Sequence, residues 1–197
     1  QRSSYMKKKI IIILMVFLIP NFSLAKNINE AYFAGGCFWC MEEFFEKVKG
    51  VEKVISGYSG GKTKNPTYEE VTYGDTGHFE AIKIIYDQDT INYQELLKLY
   101  WKNIDPFDSV GQFCDKGLSY RSVAFYKNQN EKMEIENSIK NIEKRFGGKK
   151  VVTFIREFKK FYPAEEYHQD YYQENFVNYL LYKKACGRDQ TLKNIWN

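Results

Sequence analysis

Ala31-Tyr32-Phe33-Ala34-Gly35-Gly36-Cys37-Phe38-Trp39-Cys40-Met41-Glu42-Glu43-Phe44-Phe45-Glu46-Lys47-Val48 changes character in its middle. A short apolar run ends at two glycines and a helical pattern follows, with Phe44, Phe45 and Val48 as its core positions. Strand, tight turn and helix in succession are the start of an α/β domain. The glycines let the backbone turn sharply and leave the sulfur of Cys37 accessible. Unpaired N–H groups and the positive dipole end of a helix favour a thiolate, and such sites lower a cysteine from its ordinary value of about 8.5. Cys37 is therefore a candidate nucleophile, with Phe38 and Trp39 beside it as an apolar wall. The ordinary alternative is a buried cysteine acting as a small hydrophobe. The C-x-x-C spacing of Cys37 and Cys40 also suits a thioredoxin-like dithiol. Cys114, Cys186, His78 and His168 form no second close pair, so no metal site is expected.

Downstream, Val51 to Tyr58 and Phe79 to Tyr86 read as strands, and Tyr93 to Ile104 carries apolar residues at helical spacing. The long irregular segment from Asp105 to Tyr120 exceeds ordinary connections and is expected to be functional. Arg121 to Tyr126 reads as a strand, Gln129 to Phe146 as a helix stopped by Gly147-Gly148, and Val151 to Ile155 as a strand. A short helix near His168 to Phe176 and an irregular tail complete the reading. The expectation is one α/β domain, a sheet with helices packed on it.

The 197 residues, 44% of them hydrophobic, suffice for one real core. Met6-Lys7-Lys8-Lys9, the apolar run Ile10 to Ile19 and Ser23-Leu24-Ala25 have the order of a secretory signal with a small-x-small cleavage site. Residues 1–25 are accordingly expected to be upstream sequence and a signal peptide cleaved after Ala25, and residues 26–197 the domain. The apolar run is too short to span a bilayer. Arg2, Lys7, Lys8 and Lys9 account for the whole net charge of +4, so the remainder is neutral. Nothing argues for nucleic acid or stable membrane association. The expected protein is exported, periplasmic or secreted, and monomeric.

Three other segments carry polar site material: Asn65-Pro66-Thr67-Tyr68, Gly74-Asp75-Thr76-Gly77-His78-Phe79-Glu80, and Asp115-Lys116-Gly117-Leu118-Ser119-Tyr120-Arg121-Ser122. With Gly36-Cys37-Phe38-Trp39 and Phe161-Tyr162-Pro163-Ala164-Glu165-Glu166-Tyr167-His168-Gln169, they occur in the order found in the peptide-methionine sulfoxide reductase A family, which the chain resembles from about Glu30 to Phe176. The resemblance implies a two-layer α/β sandwich related to the ferredoxin-like plait. It implies reduction of the S epimer of methionine sulfoxide, free or in proteins, leaving a sulfenic acid on the enzyme.

Carried onto these motifs, Cys37 is the nucleophile and Glu80 the acid that protonates the sulfoxide oxygen, a role requiring a desolvated carboxyl. Tyr68 and Tyr120 donate to the same oxygen, Asp115 supports them, and Phe38 and Trp39 clasp the S-methyl group. His78 and His168 are expected to make structural hydrogen bonds. A second thiol must then resolve the sulfenic acid. Many relatives have glycine at the position of Cys40 and use cysteines of a C-terminal tail. Here Cys40 lies at i+3 from Cys37, where Cβ atoms are about 5–6 Å apart, so slight fraying of the helix start is needed for a disulfide. Cys186, on a mobile tail, and Cys114 are the other candidates. No metal or organic cofactor is implied, and a thioredoxin-like protein is the expected reductant. The competing expectation is a thioredoxin-like disulfide oxidoreductase.

Overall fold

A computed structural model describes residues 26–197; the signal peptide reading falls on residues outside those described. Strand β1 (Ile28–Ala34), helix α1 (Phe38–Glu46), strands β2 (Val51–Ser59) and β3 (Phe79–Asp87), helix α3 (Tyr93–Lys102) and strand β6 (Val123–Tyr126) make a β-α-β-β-α-β succession. Helix α2 (Tyr68–Tyr73) and the two-residue strands β4 (Gly111–Gln112) and β5 (Asp115–Lys116) are inserted between them. In the sheet β6, β1, β3 and β2 lie side by side in that order, all antiparallel. This is the ferredoxin-like plait. Strand β7 (Phe154–Glu157) extends it by pairing parallel to β6, and β8 (Phe161–Pro163) by pairing antiparallel to β2.

Period-two alternation sorts the residues of the sheet onto two faces. Phe33, Ile82, Ile84 and Tyr86 face α1, α3 and α4 (Gln129–Arg145) in the main core, with Phe45, Leu96, Leu97 and Ile135 opposite them. Tyr32, Ala34, Phe79, Ala81 and Phe125 face the other side, covered by Phe154, Phe158 and Phe161. Glu80 lies in phase with Ile82 and Ile84, so the alternation that builds the core also buries this carboxyl.

The C-terminal fifth differs from expectation. It is not an irregular tail but three helices, α5 (Tyr171–Glu174), α6 (Phe176–Cys186) and α7 (Arg188–Trp196). The last two meet at Gly187, whose φ of +67° lies in the left-handed region that glycine adopts freely. The segment read as a strand from Val151 is ordered later, over β7, and the irregular 105–120 segment contains the β4–β5 hairpin and a single 3-10 turn at Leu118–Tyr120. Among the described residues, no helix is long and apolar enough to cross a membrane.

Candidate active site

The turn between β1 and α1 places Cys37 at the cap of α1. Gly36 has φ +81°, and a Cβ there would stand 2.6 Å from Gln112 Cβ, so only glycine fits. The carbonyl of Cys37 accepts from the N–H groups of Cys40 (3.2 Å) and Met41 (3.4 Å), which closes the first helical turn. Both thiols are reduced and buried, side by side.

Their ionisation is shared. Burial and the hydrogen bond with Cys40 push the Cys37 thiol well above the ordinary range, and the Glu80 carboxylate adds to this. The same hydrogen bond, supported by the charges of Arg188 and Lys183 and by Tyr179, brings Cys40 down to about 7. The expected effect of the helix start on Cys37 is therefore reversed: of the two sulfurs, Cys40 carries the charge first. The reason lies in the cations, which all arrive from the C-terminal helices on the side of Cys40.

Glu80 is 2% exposed. Burial pushes its carboxyl up to about 8, despite a hydrogen bond from the Phe38 N–H to Oε2 at 3.0 Å. It is thus a neutral acid at physiological pH, held one residue along the backbone from the nucleophile. Tyr120, at the end of the 3-10 turn, hydrogen-bonds to Glu80 and faces Tyr68; both phenols are pushed up, chiefly by burial. Helix α2 orients Tyr68. Thr67 and Glu70 form a reciprocal cap at its start, and the Tyr68 N–H donates to Glu165 Oε1 at 2.9 Å. The other Glu165 oxygen accepts from the Tyr58 hydroxyl (2.8 Å). Asp115, on β5, is pushed up by burial and accepts from the Tyr182 hydroxyl at 2.5 Å.

Phe38 and Trp39 contribute an aromatic enclosure. Phe38 packs against Tyr58, Tyr68 and His168, and Trp39 stacks on Tyr171 with ring centres 3.8 Å apart. Trp39 Nε1–H donates to His168 Nδ1 (3.2 Å), so this histidine fixes the indole. His78 instead accepts from the Gly61 N–H (3.1 Å) and hydrogen-bonds to the Thr63 carbonyl, away from the thiols.

Cys37, Phe38, Trp39, Cys40, Tyr68, Glu80, Asp115 and Tyr120 are thus gathered at one place. Cys114 and Cys186 are bonded to each other across 72 residues of sequence. Cys186 ends α6 rather than riding a mobile tail, and neither sulfur is a free thiol here. Three residues that the sequence reading passed over complete the site: Tyr179 and Tyr182 of α6 and Arg188 of α7. The Tyr182 hydroxyl approaches Cys37 as well as Asp115, and Tyr179 touches Cys40 and donates to Glu43 at 2.5 Å. Their signal was the spacing Tyr179, Tyr182, Cys186, which puts all three on one side of a helix.

A paired thiol, a neutral buried carboxyl and phenolic donors set into a plait define a thiol-dependent oxidoreductase centre. The chain belongs to the peptide methionine sulfoxide reductase family, whose model matches residues 29–197. It is 46% identical to the peptide methionine sulfoxide reductase MsrA of Limosilactobacillus reuteri over 172 residues, covering 86% of this chain and 98% of that one. It is 47% identical to the protein of the same name from Bacillus licheniformis over 174 residues, covering 88% and 96%. Among solved structures it resembles Mxr1 from Saccharomyces cerevisiae in reduced form, with TM-score 0.70 and 30% identity over 75% of this chain and 86% of that one. It also resembles methionine sulfoxide reductase A of Corynebacterium diphtheriae, with TM-score 0.68 and 28% identity over 75% of each. The enzyme is a reductase of this family and not a thioredoxin-like disulfide oxidoreductase.

Proposed function

We propose that this oxidoreductase reduces the S epimer of methionine sulfoxide, free and in proteins, with Cys37 as nucleophile and Glu80 as proton donor. The observation that carries the assignment of roles is the neutral, buried Glu80 beside Cys37, with its carboxyl pushed up to about 8. A sulfoxide oxygen leaves sulfur readily only when protonated, and an acid poised near the working pH supplies that proton. The Cys37 sulfur attacks the substrate sulfur while Glu80 protonates the oxygen, assisted by the hydroxyls of Tyr68 and Tyr120. The sulfur–oxygen bond of the substrate breaks, the oxygen passes to Cys37 as a sulfenic acid, and methionine leaves. The proton of the Cys37 thiol replaces the one Glu80 gave, so the step needs no other reactant. Phe38 and Trp39 receive the S-methyl group, and Asp115, held by Tyr182, supports the polar side of the site.

Cys40, the free thiol next to Cys37, then resolves the sulfenic acid. Its attack forms a Cys37–Cys40 disulfide and releases the oxygen as water. Electrons return through thiols, without a metal or organic cofactor, from a thioredoxin-like protein. Support for that partner comes from Mxr1, which is also solved in complex with Trx2, although that structure is 21% identical to this chain and shows likeness of fold alone. The basic and apolar residues before Lys26 support export, which fractionation of cells producing the full chain would test.

The enzymatic reading is tested with resolved S- and R-methionine sulfoxide and dithiothreitol. Turnover of the S epimer alone, absent in Cys37→Ser, is the expected result. Turnover of the R epimer, or activity surviving in Cys37→Ser, overturns the assignment.

A further inference from the structure

Arg188 is 2% exposed and has no carboxylate partner among the described residues. Its Nη1 donates to the Gly35 carbonyl (3.2 Å), and its Nη2 to the Asn103 carbonyl (2.6 Å) and to Met41 Sδ (3.2 Å). Its Nε has no partner, and the guanidinium lies over the Phe113 ring, 4.5 Å from the centre. A buried charge without a counter-charge is costly. The contacts grip both sides of the catalytic turn, Gly35 before Cys37 and Met41 after Cys40. Arg188 and Cys40 also line one cleft of about 270 Å³ beneath α1. The other charges there largely cancel. Glu43 pairs with Lys47 (2.6 Å) and Lys183 (2.8 Å), and Lys183 also approaches Asp189 (3.6 Å). Lys102 stands at the rim, Tyr179 and Tyr182 stay neutral, and the Glu80 carboxyl is protonated.

We propose that Arg188 is a positioning residue for the resolving step: its unpaired charge finds its counter-ion in the Cys40 thiolate that attacks the Cys37 sulfenic acid. This rests on the reading of Cys37 as nucleophile and Cys40 as resolving thiol. In the step, the Cys40 sulfur forms a bond to the Cys37 sulfur, the Cys37 sulfur–oxygen bond breaks, and the departing hydroxide takes a proton from Glu80 to leave as water. Until then the guanidinium holds the negative charge on the sulfur that must attack, leaving the Cys37 thiol protonated for the first step. The Cys114–Cys186 disulfide lies two residues before Arg188 and fixes the helix junction that delivers it.

Single-turnover kinetics with one equivalent of S-methionine sulfoxide and no reductant separate the two steps, methionine release reporting the first and loss of thiols the second. Arg188→Gln is expected to leave methionine release unchanged. It should slow disulfide formation about tenfold at neutral pH, the loss of thiolate for a one-unit rise in the Cys40 titration. The pH profile of that step should move to higher pH, and Arg188→Lys should restore most of the rate. Equal slowing of both steps with an unmoved profile would mean that Arg188 is a structural clamp only, and overturns the proposal. A second measurement does not depend on the variant folding. In Cys37→Ser with Arg188 intact, the ultraviolet absorbance of the Cys40 thiolate should appear below the ordinary value of about 8.5; titration at or above that value overturns the proposal. Failure of the wild type to release methionine at all would instead refute the functional reading, and the thiolate titration would still report on Arg188.

Discussion

Glu80→Gln should remove the acid of the reaction and, above neutrality, stabilise the fold. Burial holds the carboxyl protonated up to about 8, whereas its ordinary value is 4.5. Between those values the unfolded chain has lost a proton that the native state keeps, so stability falls as pH rises. The penalty is absent below the unfolded value, grows through the interval and levels off above the folded one. At 1.36 kcal/mol per unit, it grows by roughly 3–4 kcal/mol between about pH 5 and pH 8. Glutamine does not titrate, and its carbonyl can still accept from the Phe38 N–H, now 3.0 Å from Glu80 Oε2. A chain of this length shifts Tm by about 2–4 °C per kcal/mol. Calorimetry of the two proteins in parallel should therefore show the advantage of Glu80→Gln growing by roughly 5–15 °C from acid to alkaline buffer. Activity on the S epimer should fall by about 10²–10⁴. A Tm difference that stays constant with pH would refute a carboxyl held neutral by burial.

Other expectations follow from packing and from the C-terminal helices. Cys114→Ser opens a loop closed across 72 residues of sequence, and should cost about 4 kcal/mol in the chain-entropy account, read as a lower denaturation midpoint without reductant. One equivalent of methionine per enzyme should still be released, since Cys37 and Cys40 remain. Ile82→Ala, at a fully buried position facing α1, should cost about 2–5 kcal/mol, measured by urea unfolding. Tyr182→Phe removes the hydroxyl that reaches Asp115; a hydrogen bond to a charged group is worth about 1.5–3 kcal/mol, so kcat should fall while far-ultraviolet circular dichroism is unchanged. Trp39→Ala loses the stack on Tyr171 and the bond to His168, and should raise KM for methionine sulfoxide more than it lowers kcat.

The plait was legible because its elements carry strong periodicity. The strand containing Ile82, Ile84 and Tyr86 and the helix containing Leu96, Leu97 and Tyr100 each bury one side, and the two glycines mark the turn between them and Cys37. The C-terminal helices were not legible. Of the apolar residues of α6, Phe176, Val177, Leu180 and Leu181 point outward while Tyr179 is buried, so hydrophobicity there does not report the inner face. With the helices went the placement of Tyr179, Tyr182 and Arg188, and hence the sign of the Cys37 and Cys40 titrations. A local argument from the start of α1 sees the dipole but not cations that arrive from residues 183 and 188 of the sequence. Glu80 was legible as a motif residue; its burial follows from the register of β3, where it lies two residues before Ile82.

The most direct test is to expose Cys40→Ser to one equivalent of S-methionine sulfoxide without reductant, add a sulfenic-acid trap and map the modified residue by mass spectrometry. One methionine released per enzyme, with the trap on Cys37 alone, is the predicted result. Methionine release without modification of Cys37, or a trap found on another cysteine, would contradict the account.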